Sequence, residues 1–176
     1  MERKGIVTMK GNPVTLVGPE IKVGDKAPDF TSLDQNMQPV KFSDMAGKVR
    51  LIASVVSLDT PVCIMETDRF NREADKLSPE KTAVLVISMD LPFALGRFCS
   101  MEGIKNVRAI SDYREASFGS AYGVLIKENR LLARAIFVVD GGGIVRHVEY
   151  VKEVSSHPDY DTALNVVRDL IQSKAA

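Results

Sequence analysis

An α/β fold with a mixed central sheet, helices on its faces and an N-terminal β-hairpin is predicted by three features of the sequence. Apolar strand runs alternate with helical periodicity, the chain closes on an antiparallel hairpin followed by a helix, and a turn-rich insert separates two β-prone runs near the start. Val7–Met9 and Val14–Val17 flank Lys10-Gly11-Asn12-Pro13, which reads as the N-terminal hairpin, an appendage within residues 1–20. Val49–Val56 is an apolar, β-branched run of the kind a buried central strand needs. From Met65 to Leu77 that character is lost, and Phe70, Ala74 and Leu77 are spaced along one helical face. A second buried strand follows at Thr82–Ser88, a short helix carrying Cys99 at Phe93–Met101, and a short strand at Val107–Ser111. Ala133–Val139 and Ile144–Tyr150 bracket Asp140-Gly141-Gly142-Gly143 as a tight hairpin, and Tyr160–Ser173 is an amphipathic terminal helix after Pro158.

Composition narrows the partners. The 176 residues, 45% hydrophobic and 26% charged, suit one domain spanning 1–176 with a sizeable core. Lys plus Arg and Asp plus Glu balance at 23 each, so overall charge invites neither nucleic acid nor an anionic membrane and favours a small neutral substrate. No stretch approaches the roughly 20 apolar residues of a membrane helix, and residues 1–10 lack the apolar core of a signal peptide, so the expected location is the cytoplasm. Two cysteines are too few for a disulfide scaffold, and any disulfide in that compartment is expected to be transient. Cys63, Cys99, His147 and His157 lack the short paired spacings of structural zinc sites, so no metal is expected. Gly141–Gly143 joins two strands rather than a strand to a helix, which argues against a phosphate loop and against a nucleotide. His147 and His157 read as surface or packing residues.

The informative segment is Ser57-Leu58-Asp59-Thr60-Pro61-Val62-Cys63, placed after a buried strand and before a helix. A thiol in the first turn of a helix meets unpaired amide donors and the positive end of the macrodipole, both of which favour the thiolate nucleophile. Thr60 is near enough for its hydroxyl to bond the sulfur or a substrate oxygen, and Pro61 stiffens the turn between them. The plain alternative is a small buried Cys63 behind an N-cap Thr60. Strand alternation puts Arg134 on one face with Leu132, Ile136 and Val138, where a guanidinium needs a partner. A thiolate would serve; so would a carboxylate, or an escape to solvent at a sheet edge. Cys99 on its own reads as a buried helix cysteine.

Together, Ser57–Cys63, Met89-Asp90-Leu91-Pro92-Phe93-Ala94 through Phe98-Cys99, and Leu132-Ala133-Arg134-Ala135 resemble the bacterial thiol peroxidase branch of the peroxiredoxins, and the likeness extends from the N-terminal hairpin through Val23–Phe30 to the last helix. The resemblance implies a thioredoxin-like fold, Cys63 as peroxidatic cysteine with Thr60 and Arg134 as activating partners, and Cys99 as resolving cysteine in an intramolecular disulfide. It also implies peroxide substrates, no metal or organic cofactor, thioredoxin as reductant and a homodimer. Pro61, Val62 and Phe93 are expected to line the substrate's approach. Met89, Leu91 and Phe93 fit either an apolar approach suited to organic hydroperoxides or core packing. Two positions depart from the family pattern. Val56 stands where the family has a proline four residues before the threonine, predicting a looser pocket and slower reaction, and Ile64 is bulkier than the small or acidic residue usual after the cysteine. A redox sensor that changes shape on oxidation is the rival reading, and an inert thioredoxin-like protein the third.

Overall fold

A computed structural model describes residues 1–173. Ten strands and four α-helices follow in the order β1 (Glu2–Met9), β2 (Asn12–Val17), β3 (Thr31–Leu33), β4 (Pro39–Lys41), β5 (Val49–Ser54), α1 (Pro61–Asp75), β6 (Thr82–Ser88), α2 (Pro92–Glu102), β7 (Arg108–Ser111), α3 (Ser117–Ala121), β8 (Leu125–Ile126), β9 (Ala135–Val139), β10 (Val145–Tyr150) and α4 (Tyr160–Ser173), with one 3-10 turn at Phe42–Met45. The main sheet has the order β10-β9-β5-β6-β7-β3-β4. β5, β6 and β7 are parallel, while β9 and β10 on one side and β3 and β4 on the other run antiparallel to their neighbours. The mixed sheet expected from the alternating pattern is therefore present.

Side-chain alternation divides the core into two layers, because successive residues of a strand point to opposite faces. Leu51, Ala53, Val84, Val86, Ile136 and Val138 face α1, α2 and α4, and this layer holds both cysteines. Ile52, Leu85, Ile87, Phe137 and Val139 face the opposite layer, packed with Phe30, Phe42, Phe118 and Tyr122. Those aromatic rings meet edge-on or stacked at centroid distances of 4.7–6.5 Å, the offset geometries that ring quadrupoles favour.

The N-terminal hairpin pairs through β2 with β8, and its Val7, Val14 and Leu16 are buried in the aromatic layer. Its tip is tied to the segment after β10. Thr8 N–H donates to the Lys152 carbonyl at 2.6 Å, Val154 N–H donates to the Thr8 carbonyl at 3.0 Å, and Glu153 accepts from the Thr8 hydroxyl and from the amides of Lys10 and Gly11. These bonds hold Glu153 ionised, its carboxyl lowered to about 2.

Most differences from the expected boundaries lie at strand ends. The run expected to stay extended to Val56 is strand only to Ser54, and α1 begins at Pro61, before the apolar periodicity becomes visible. The polar stretch before Val49 contains β3 and β4, whose short runs carry no strand periodicity of their own. Arg134 lies just outside β9. Ile136 and Val138, expected on its face, do face the cysteine layer, but Leu132, expected there too, packs in the other layer, because the alternating strand begins only at Ala135.

Candidate active site

The turn from β5 into α1 is built by Thr60 and Pro61. Thr60 occupies the N-cap position with extended backbone, φ −123° and ψ 143°, and Pro61 follows at the first helical position, where a missing N–H costs nothing. The Thr60 hydroxyl does not cap the helix; it donates to the Ser57 carbonyl at 2.9 Å, closing the preceding turn. The first-turn amides of Val62 and Cys63 thus have no side-chain cap and aim their dipoles toward the sulfur's end of the helix. Cys63 itself is fully buried, and the Thr67 hydroxyl donates back to its carbonyl at 2.8 Å, fixing the second turn.

Arg134 reaches this thiol from the strand side. Its Nη2 donates to Cys63 Sγ at 3.2 Å, its Nη1 to Glu66 Oε2, and its Nε to the Val154 carbonyl at 3.0 Å. The guanidinium is 1% exposed and Glu66 0%. The carboxylate and thiol partners weighed as alternatives for Arg134 are therefore both present, on one face of α1 one turn apart. Sequence reading missed Glu66. Its signal was the spacing Cys63, Glu66, Phe70, an i, i+3, i+7 stripe with a carboxylate on the buried side.

The electrostatics follow from two acceptors sharing one cation. Burial pushes the Glu66 carboxyl up to about 7, with Arg134 opposing that rise, and Glu66 Oε1 has no hydrogen-bond partner among the described residues. Burial would lower the Arg134 guanidinium, but the charges of Glu66 and Cys63 outweigh it and hold the cation firmly protonated. A neutral Glu66 leaves the full positive charge free to balance a negative sulfur, whereas an ionised one competes for it. Tyr160, which packs edge-on to Phe70, is raised by burial and by Glu66.

An apolar cavity of about 350 Å³ opens beside this cluster, walled by Thr60, Pro61, Val62, Arg134, Met9 and Val154 among others. Met9 comes from the tip of the N-terminal hairpin. Val56 also lines the cavity, half-buried and packed against both core layers. Of the residues expected along the substrate's approach, Pro61 and Val62 line this cavity and Phe93 does not: it stands 72% exposed in the first turn of α2.

Cys99 lies in α2, in the same apolar layer as Cys63, and both thiols are free. Burial pushes the Cys99 thiol up, opposed by a hydrogen bond with the Gln35 side chain. Among the described residues no group of three His, Cys, Asp or Glu side chains is arranged to hold a metal ion, and no helix is long and apolar enough to cross a membrane.

Known proteins similar to this chain show its family and fold. A family model described as Redoxin matches residues 22–164. A thiol peroxidase of Halalkalibacterium halodurans is 51% identical over 162 residues, covering 92% of this chain and 96% of that protein. The thiol peroxidase of Bacillus subtilis is 49% identical over 166 residues, covering 94% and 98%. A solved peroxiredoxin-like protein from Aquifex aeolicus matches with a TM-score of 0.87 and 44% identity over 96% of this chain and 97% of that one, so the thioredoxin-like fold implied by the sequence is the fold observed. The chain belongs to the redoxin family and, within it, to the bacterial thiol peroxidases.

Proposed function

We propose that this thiol peroxidase reduces hydrogen peroxide and organic hydroperoxides with Cys63 as nucleophile and Cys99 as resolving thiol. The observation that carries the assignment is the 3.2 Å contact from Arg134 to the Cys63 sulfur in a fully buried setting. In the first step the Cys63 thiolate attacks the terminal peroxide oxygen; the O–O bond breaks, sulfur is oxidised to sulfenic acid, and water or alcohol leaves after taking a proton. Arg134 stabilises charge on the attacking sulfur and on the departing oxygen. Because the Thr60 proton is engaged by the Ser57 carbonyl, its oxygen is presented as an acceptor for the peroxide O–H. Pro61 and Val62 supply the apolar wall against which an alkyl group packs.

In the second step the Cys99 thiol displaces water from the sulfenic acid, forming the Cys63–Cys99 disulfide, and thioredoxin returns both thiols by exchange. The raised Cys99 thiol suits a group that stays protonated until the first turn of α1 opens and brings the oxidised sulfur to it. The cytoplasm suits an enzyme whose resting state is two free thiols. The chain acts as one domain in this reading and as a homodimer, for which the exposed Leu91, Phe93 and Met101 offer apolar surface. The chemistry needs neither metal nor organic cofactor. A sensor with little turnover is not favoured.

The test is steady-state peroxide consumption by the purified protein with thioredoxin, its reductase and NADPH, using hydrogen peroxide and cumene hydroperoxide in parallel. Multiple turnovers per protein with both peroxides are expected. A single oxidation equivalent followed by arrest would overturn the enzymatic reading in favour of the sensor.

A further inference from the structure

We propose that Asp90 is the positioning residue that holds the active-site turn closed for the first oxidation and must release it for the second. The inference rests on reading Cys63 and Cys99 as the reacting pair. Asp90 sits between the end of β6 and Leu91, the N-cap of α2, the helix that carries Cys99. Its carboxylate reaches across to the Cys63 turn, where Oδ1 accepts from the Ser57 hydroxyl at 2.7 Å and Oδ2 from the Leu58 amide at 2.8 Å, while Oδ2 also accepts locally from the Ser88 hydroxyl at 2.8 Å. The residue is itself fixed from behind, its N–H donating to Ser88 Oγ at 3.2 Å and its carbonyl accepting from the Ser111 hydroxyl.

Ser57 passes the restraint on. Its carbonyl accepts the Thr60 hydroxyl at 2.9 Å, so the side chain that faces the peroxide is positioned through Ser57 by Asp90. Elsewhere the Cys63 turn and α2 face each other across a cavity of about 240 Å³ lined by Leu58, Ile64, Leu95, Phe98 and other residues. A void gives little resistance to rearrangement, whereas the two hydrogen bonds that Ser57 and Leu58 make to the carboxylate do. One residue thus anchors the near ends of both segments that have to move before the two sulfurs join.

The chemistry sets what this anchor controls. Cys63 sulfenic acid and the Cys99 thiol give a disulfide and water; a second peroxide instead transfers another oxygen to the sulfenic acid, giving sulfinic acid and water or alcohol. The first route needs the turn to open and the second does not. Asp90 therefore sets the partition between recycling and inactivation, as well as the placement of Thr60.

The experiment exposes wild type, Asp90→Ala, Asp90→Asn, Ser57→Ala and Cys99→Ser to graded hydrogen peroxide, quenches with an alkylating reagent, and counts disulfide and sulfinic acid by mass spectrometry. Losing one charge-assisted bond corresponds to about a tenfold change in an equilibrium. The ratio of disulfide to sulfinic acid is accordingly expected to rise about tenfold in Ser57→Ala, further in Asp90→Ala, which loses both bonds to the turn, and less in Asp90→Asn, with slower first oxidation in each. Ser57→Ala removes one bond to Asp90, together with the local one that the Ser57 hydroxyl accepts from the exposed Asp59 amide at 3.1 Å, and keeps the test open if Asp90→Ala does not fold. A lowered denaturation midpoint with an unchanged ratio would show Asp90 to be merely structural and overturn the proposal. If wild type forms no Cys63–Cys99 disulfide and behaves like Cys99→Ser, the pairing itself is wrong and the proposal falls with it.

Discussion

Two thiols share one apolar layer of this molecule, yet they sit in opposite electrostatic surroundings. Cys63 stands in the first turn of α1 with a guanidinium on its sulfur and a carboxyl one turn below. Cys99 lies inside α2, where burial favours its neutral form. Burial alone therefore does not distinguish the thiol proposed as nucleophile from the one proposed to resolve it. The difference lies in whether burial also encloses a fixed positive charge, because desolvation that penalises an isolated anion strengthens one already paired.

The comparison breaks most sharply if the sulfurs are replaced one at a time. Cys63→Ser is expected to abolish peroxide consumption, a loss of at least about 10³-fold. Cys99→Ser should leave the first oxidation within about twofold of wild type while stopping thioredoxin-linked cycling. Equal effects of the two changes on the first oxidation, measured by quenched-flow alkylation, would erase the distinction.

Removing the cation comes next. Arg134→Met is expected to slow the first oxidation by about 10²- to 10³-fold. It should also destabilise the fold by about 3–5 kcal/mol, since Glu66 is left buried without its partner. Adding Glu66→Gln should restore most of the stability in urea denaturation without restoring the rate, separating the structural use of Arg134 from its chemical use.

Glu66 gives a pH signature in a lower range than the one in which the raised Cys99 thiol titrates. Its carboxyl, raised from 4.5 to about 7 by burial, stays protonated in the folded chain over a range where the unfolded chain has lost the proton. That contribution is fully present below about 4.5 and is lost as pH rises through about 7. Wild-type stability is expected to fall across that window by on the order of 3 kcal/mol relative to Glu66→Gln. Parallel stability profiles of the two proteins would contradict the assignment. The smallest expected effect belongs to Val56→Pro. Val56 already fills the cavity wall against both core layers, so restoring the family's proline should change the first-oxidation rate by less than about threefold.

How much of this was legible in the sequence varied with element length and with the distance between partners. β5, β6 and α4 announce themselves because continuous apolar or amphipathic runs leave one way to bury them. β3 and β4 are three residues each and exist because neighbouring strands offer them an edge; Leu33 pairs with Ser111, far away in the chain. α3 has five residues and starts behind Ala116 in a left-handed conformation, which no local propensity suggests. The strand–turn–helix context singled out Thr60 and Cys63, and the cost of a charge among apolar neighbours singled out Arg134, but each left a plain structural reading equally open until the family resemblance supplied a role. The sequence offered a thiolate or a carboxylate as its partner and could not show that one guanidinium serves both. Ser57 and Asp90 were quoted within the motifs, but the bond between them depends on two parallel strands ending side by side. The wall supplied by Met9 depends on the hairpin tip meeting Glu153.

That last contact has a consequence for how the molecule comes into being. Thr8 and Glu153 are separated by 145 positions along the chain, so during translation the Cys63 turn leaves the ribosome long before the cavity beside it has its outer wall. A nascent chain that folds early can present the thiol without the cavity proposed to receive the peroxide. The cavity is completed only when the segment around Glu153 emerges and fastens to residues made much earlier.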